Sequence, residues 1–222
     1  MLFVMATVKG SGTSTKLSRR ESAKATQWRI VKAAYELFCE QGYAATTMAQ
    51  IAESAGVAVQ TVYFVFHSKS ALLSRAIDFA VLGESDPEPP QRRPWYRAMA
   101  AEPDVGRALR HFVTGASELI RRVTPIEVAA QVASDADPET RRVIELHERW
   151  RADDFRAVVE ILTATAPLRP EVTAAQATDV LLLFLSSHHY RFLTEERGWS
   201  PDVWVDWTVE ALAAQLFGSS SP

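Results

Sequence analysis

Between Thr46 and Phe66 the sequence places two short apolar stripes of helical period on either side of a single glycine. Met48, Ile51, Ala52 and Ala55 stand at i, i+3, i+4 and i+7, the spacing of one helix face. Thr46-Thr47 ahead of them offers an N-cap, and Gly56 ends the run where a positive φ is wanted. The second stripe begins near Ala58 and sets Val59, Val62 and Phe66 on one face, leaving Gln60, Thr61 and Tyr63 elsewhere. Two short helices joined by a tight glycine-containing turn make a helix-turn-helix. Upstream, Ile30, Ala34, Leu37 and Phe38 recur at helical spacing across Ala25 to Gln41, with Gly42 as the stop. Downstream, Ser68 reads as the cap of a further helix with Leu72, Leu73, Ala76 and Phe79 as its buried stripe.

Four of the eleven prolines (Pro87, Pro89, Pro90 and Pro94) fall between Gly83 and Pro94, so helix is not expected to pass through that stretch. A domain boundary is placed there. Beyond it the periodicity predicts helices over Asp104 to Val123, Pro125 to Ala133, Glu139 to Ala166, Thr173 to Arg197 and Pro201 to Phe217, with few strand signals. The reading is an all-α chain. Residues 1–22, rich in Ser, Thr, Gly and Lys, form a flexible basic arm, 23–82 a helix-turn-helix head, and 83–222 a larger helical body.

With 47% hydrophobic and 23% charged residues, the 222-residue chain is neither disordered nor fibrous. Its net charge of -3 hides a partition. Up to Arg75 there are nine basic residues against four acidic ones (+5), whereas the remainder carries 15 against 23 (-8). Such asymmetry points to a basic head that meets a polyanion and an acidic body with another task. The apolar run Val180 to Leu185, which no other exceeds, falls far short of the roughly 20 residues that span a bilayer. The apolar start, Met1 to Met5, lacks the basic flank and length of a signal core. One cysteine, Cys39, fits a reducing compartment. A cytoplasmic protein without a membrane partner is expected.

The stretch from Gly42-Tyr43 through Thr46-Thr47, Ile51-Ala52, Ala55-Gly56-Val57, Thr61-Val62-Tyr63, Phe66 and Lys69 to Leu72-Leu73 closely resembles the DNA-binding signature of the TetR family of bacterial transcriptional regulators. The likeness covers about a third of the chain, in the family's order. In the body it extends only to a helical domain of suitable length.

A recognition helix entering a major groove needs short or amide side chains in its first turn, and Ala58, Val59, Gln60 and Thr61 meet that need. Gln60 is suited to adenine, Thr61 to a base or phosphate, and Val59 to a thymine methyl. No Arg stands there for guanine, so A·T pairs are expected among the sharply read positions. Phosphate clamps are expected from Thr47, Tyr63, His67 and Lys69, where the resemblance and the chemistry agree. Gly42, Ile51, Ala52, Gly56, Leu72 and Leu73 are assigned to the fold.

The resemblance further implies a homodimer addressing two major-groove faces of double-stranded DNA. Its interface is expected on the last two helices, from the all-round apolar Val180 to Leu185 and a stripe of Val203, Trp204, Trp207, Leu212, Leu216 and Phe217. It also implies a body that holds a small-molecule effector and releases DNA in response. Candidate lining residues are Trp95, Met99, Phe112, Ala116, His147, Trp150, Arg151, Phe155, Phe184 and His188. His147 and Arg151 share a face at i, i+4 and suit a polar or anionic group, though a solvated face with Glu148 is the plainer account. Regulation by a protein partner is the alternative. No metal is expected from His188-His189, whose side chains diverge by about 100°, and no cofactor is implied. Enzyme signatures such as G-x-S-x-G or a phosphate-cradling glycine loop are missing from the sequence, so a non-enzymatic protein is expected.

Overall fold

A computed structural model describes residues 19–83 and 89–218. Among these, every regular element is helical. Residues 1–18 of the expected arm lie outside the described part, and residues 19–22 form the start of α1 (Arg19–Gln41). That helix ends where expected, at Gly42, whose φ of 86° sits in the region open to glycine and whose N–H reaches the Phe38 carbonyl at 3.1 Å.

The next two helices, α2 (Met48–Ala55) and α3 (Val59–Phe66), are joined through Gly56 at φ 64°. At the start of α2 Thr47 and Gln50 cap each other: the Thr47 hydroxyl accepts the Gln50 N–H at 3.2 Å, and Gln50 Oε1 accepts the Thr47 N–H at 2.8 Å. Ser68 caps α4 (Lys69–Leu82) by accepting the Ala71 N–H at 3.1 Å.

In the body, α5 (Pro94–Ala101) arises ahead of the first predicted helix, in a stretch for which none was expected. Pro94 occupies the first helical turn, where a missing N–H costs nothing, so it starts a helix instead of stopping one. The two helices predicted on either side of Pro125 are one, α6 (Val105–Ser134). Proline removes the helical donor for the Arg121 carbonyl. The helix continues because Ile120 and Val123 before it, and Ile126 and Ala130 after it, are all buried. The Tyr35 hydroxyl of α1 donates to the neighbouring Arg122 carbonyl at 2.8 Å and pins this region.

The helix α7 (Pro138–Thr165) matches its predicted span within a residue at each end. The long helix expected over 173–197 is instead α8 (Ala174–Phe184), the short α9 (Ser187–Arg191) and a wide turn over Phe192–Glu196. Ser186 causes the restart, since its side chain accepts the His189 N–H at 3.1 Å as an N-cap. The chain closes with α10 (Pro201–Leu216).

Two apolar clusters organise these helices. One gathers Ile30, Phe38, Ile51, Val62 and Leu72 of the first four helices with Ile126 and Ala130 from the second half of α6. The other joins Leu109, Phe112 and Val113 from the first half of α6 to Val159 and Leu162 of α7, Leu181 of α8 and Trp204 and Leu212 of α10. The long α6 is therefore a beam shared by both cores.

Candidate DNA interface and effector cavity

The exposed face of α3 is set by its buried one. Val62 and Phe66 are inserted in the core, which turns Gln60, Tyr63 and Phe64 outward. Ala58, the N-cap residue, is exposed, while Thr61 is half-buried and Val59 rests partly against the core. Tyr63 is 51% exposed and Phe64 82%. Phe64 was not singled out by motif reasoning. The signal for it was the helical wheel, on which it stands opposite the midpoint of Val62 and Phe66.

Of the expected phosphate clamps, Thr47 is exposed at the start of α2, where its hydroxyl also donates to Gln50 Oε1 at 2.9 Å. His67 is exposed in the turn after α3, with the described residues' only positive φ outside glycine, 62°. Lys69 lies half-buried. Its ammonium donates to the Tyr43 carbonyl at 2.9 Å and the Thr46 carbonyl at 3.0 Å, and it sits 4.3 Å from the centre of the Tyr43 ring. Burial pushes its pKa below the ordinary lysine value. Lys69 thus ties the loop before α2 to the start of α4 and keeps one proton for an outside acceptor.

The head is bonded to the body along α4. Ser70 donates to Glu139 at 2.8 Å, Ser74 pairs with His147 Nε2 at 3.0 Å, and Arg122 Nε donates to the Ala80 carbonyl at 3.0 Å. Beside these contacts lies a cavity of about 230 Å³. Ile77, Asp78 and Val81 of α4 form one wall, Trp95 and Tyr96 of α5 another, and α6 and α7 most of the rest, with Pro90 and Gln91 before α5 and Leu185 and Ser187 at the α8–α9 junction completing it. Seven of the expected lining residues meet there: Trp95, Phe112, Ala116, His147, Trp150, Arg151 and Phe155. Three do not line it. Met99 is sealed in the body core at 1% exposure, Phe184 stacks on Trp207 with ring centres 5.7 Å apart, and His188 faces outward because the break after α8 rotates it away.

Most of the cavity wall is aromatic or aliphatic. Its polar groups are largely paired: Gln91 donates to Asp154 at 2.8 Å, Ser187 donates to Glu127, and Arg151 approaches Glu127 at 3.8 Å. Arg151 Nε is the exception, a buried donor with no acceptor. Burial holds the His147 pKa below its ordinary value of 6.5, against the opposing charge of Asp78.

Residues 30–76 match the family described as bacterial regulatory proteins, tetR family. The helix-turn-helix head is TetR-like. Similar proteins include the HTH-type transcriptional regulator TtgR of Pseudomonas putida, 39% identical over 59 residues, which are 27% of this chain and 28% of that protein. YerO of Bacillus subtilis, an uncharacterized HTH-type transcriptional regulator, is 40% identical over 53 residues, 24% of this chain and 18% of its own. The match thus spans less than a third of each of these relatives' length. Among solved structures, NalD, the secondary repressor of the MexAB-OprM multidrug efflux pump in Pseudomonas aeruginosa, has a TM-score of 0.65 at 23% identity, covering 89% of this chain and 98% of NalD. A regulator structure from Saccharomonospora viridis in complex with choline reaches 0.64 at 18% identity, covering 87% and 98%. At these identities the likeness is one of fold: a helix-turn-helix head before a larger helical domain.

Outside the matched head, the expected dimer helices divide into buried and exposed parts. Trp204, Leu212 and Leu216 of α10 are core residues, whereas Leu183 of α8 and Val203 and Trp207 of α10 are exposed. Among the described residues no helix is long and apolar enough to cross a membrane, and no group of three His, Cys, Asp or Glu side chains could hold a metal.

Proposed function

We propose that this protein is a DNA-binding transcriptional regulator of the TetR family, a repressor released from its operator by a small-molecule effector. Residues 23–82 bind DNA, and 83–222 sense the effector and dimerise. Thr47, Ala58, Val59, Gln60, Thr61, Tyr63, His67 and Lys69 supply the DNA contacts, with A·T pairs read by Gln60. Two copies, joined through Leu183, Val203 and Trp207, address a partly palindromic site.

The observation that carries this reading is that α4 serves both ends. Its first residue, Lys69, stands at the head's outer loop, and its later turns are a wall of the cavity. A ligand that pushes on Ile77 or Val81 therefore displaces the helix that holds the head, provided it binds the released arrangement better. The cavity favours this sensor over control by a protein partner. Aromatic walls and the unpaired Arg151 donor suit an effector with a flat apolar body and one acceptor oxygen. NalD, a repressor by its description, supports the sign of regulation, and the choline-bound relative supports a small organic ligand.

The test is recovery of short genomic fragments by the purified protein at about 0.15 M salt, where backbone attraction alone has weakened. Wild type enriches a partly palindromic site and Tyr63→Ala does not. Enrichment of no sequence by either protein overturns the reading.

A further inference from the structure

The cavity bordered by α4 is unbalanced in charge. Among the described residues three carboxylates line it, Asp78, Glu127 and Asp154, against one guanidinium, Arg151, and a His147 that burial keeps uncharged at neutral pH. Two of the carboxylates are answered. Asp78 is bonded to Arg75 at 2.9 Å, outside the lining, and Glu127 has Arg151 at 3.8 Å and the Ser187 hydroxyl. Asp154 meets only the neutral Gln91 amide, at 2.8 Å, and among the described residues no cation pairs with it. Its place is the mouth of the cavity. Asp154 and Gln91 are exposed, and Trp150, one turn earlier on the same face of α7, is 48% exposed. Burial, and then the Asp154 charge, raise the pKa of Tyr96 on α5, so the carboxylate stands near a second ring. Deeper in, Phe112 continues the aromatic wall, its ring centre 5.9 Å from that of Phe155 and 6.1 Å from that of Trp95.

We propose that the effector is an organic monocation, with a flat apolar body among Trp95, Phe112 and Phe155 and its positive group at the mouth, between Asp154 and the rings of Tyr96 and Trp150. This rests on the effector-sensing role proposed above and names the chemical class that the site takes. An aromatic face attracts a cation through its quadrupole, most strongly where water is excluded. An anion is disfavoured, because Glu127 already claims the guanidinium of Arg151 and an added carboxylate would face three like charges. A neutral molecule leaves Asp154 without a counter-charge. A bare metal ion finds too few ligands, since among the described residues no three His, Cys, Asp or Glu side chains could hold one. The body reinforces the choice: beyond Arg75 the chain carries a net charge of -8, which raises the local concentration of cations. The buried Arg151 Nε then takes a neutral acceptor, an ether, carbonyl or hydroxyl oxygen on the same body.

The full-length protein is dialysed to equilibrium, at neutral pH and low salt where screening is weak, against three ligands that share a naphthalene ring. These are (2-naphthylmethyl)trimethylammonium, 2-naphthylmethanol and 2-naphthylacetate. The cation binds about tenfold more tightly than the alcohol, the combined value of a cation–ring contact and a carboxylate in a partly hydrated place, and the acetate binds weakest. Tetramethylammonium, the charge without the ring, binds at least about tenfold more weakly than the naphthyl cation because it buries little apolar surface. Asp154→Asn keeps an acceptor for Gln91 and, at an exposed position, melts within a few degrees of wild type. In it the ratio of cation to alcohol affinity falls by about threefold or more, the carboxylate's share. Alcohol or acetate binding as tight as that of the cation overturns the inference while leaving the cavity as a ligand site. A ratio that Asp154→Asn leaves intact, or tetramethylammonium binding equal to that of the naphthyl cation, traces the preference to the acidic surface at large and overturns it too. If none of the three naphthyl ligands binds, the inference also falls, and the DNA-binding role, judged by fragment recovery, is untouched.

Discussion

Lys69 shows why a single side chain resists a single label. As a phosphate clamp it would add one charge to the salt dependence of DNA binding. As a loop tie it satisfies the Tyr43 and Thr46 carbonyls in a half-buried place. Both roles are tested by Lys69→Met, which keeps the length of the stem and removes three donors. The variant loses about 1–3 kcal/mol in urea unfolding because the two carbonyls lose their partner. The slope of log affinity against log salt also falls by about one if the remaining proton meets a phosphate. His67 carries a different burden. At φ 62° its Cβ is strained, and glycine is not, so His67→Gly raises stability by about 1 kcal/mol while removing an imidazole from the exposed turn after α3. A lowered unfolding midpoint would show that the ring itself holds the turn. Cys39, whose thiol burial pushes up to about 11, stays protonated at neutral pH and carries no nucleophile.

Among the elements, α6 is where local rules and packing disagree most. Gly115 lies in its interior, where alanine normally stabilises a helix by about 1 kcal/mol. Here a Cβ would stand 2.1 Å from Trp95 Cδ2 and 2.2 Å from Cγ, atoms at the root of the indole that cannot swing aside alone. Gly115→Ala is expected to displace Trp95 from the cavity wall and to destabilise by about 1–3 kcal/mol, overpacking outweighing propensity. Denaturant unfolding gives the sign, and tryptophan fluorescence reports the displaced ring. Pro125 in the same helix makes the complementary point. Its missing donor is tolerated because burial on both sides, and Tyr35 from α1, hold the backbone in place.

For the molecule as a whole, the contact between α4 and α7 makes stability depend on pH. His147 is half-buried against Ser74, with its pKa held below 6.5. As pH falls, the unfolded chain takes up this proton near its ordinary value, but the folded protein does so only lower. In that window the unfolded state binds more protons, so stability is complete above about pH 6.5 and declines below it. Between about pH 7.5 and about pH 5.5 the wild type therefore loses more stability than His147→Gln, which keeps a polar group near Ser74 but has no proton to gain. Equal losses would place the acid sensitivity elsewhere. Because the same contact borders the cavity, the pH trend and effector response should move together in variants of this helix pair.

The sequence alone determined what depends on short-range chemistry. Caps at Thr47 and Ser68, the left-handed stops at Gly42 and Gly56, and the helical period of the first four helices follow from residues within a turn of each other, so they were legible. So was most of the outward face of α3, because burial of Val62 and Phe66 dictates what that helix exposes. Tertiary structure decided what depends on neighbours far along the chain. Pro125 sits inside a helix, Val180 to Leu185 ends one, and Met99, Phe184 and His188 stand away from a cavity that seven other candidates line. An apolar side chain in a helix carries no mark of which partner it will meet. Only the packing of α4 against α6 and α7, and of α5 against α6, sorts wall from core.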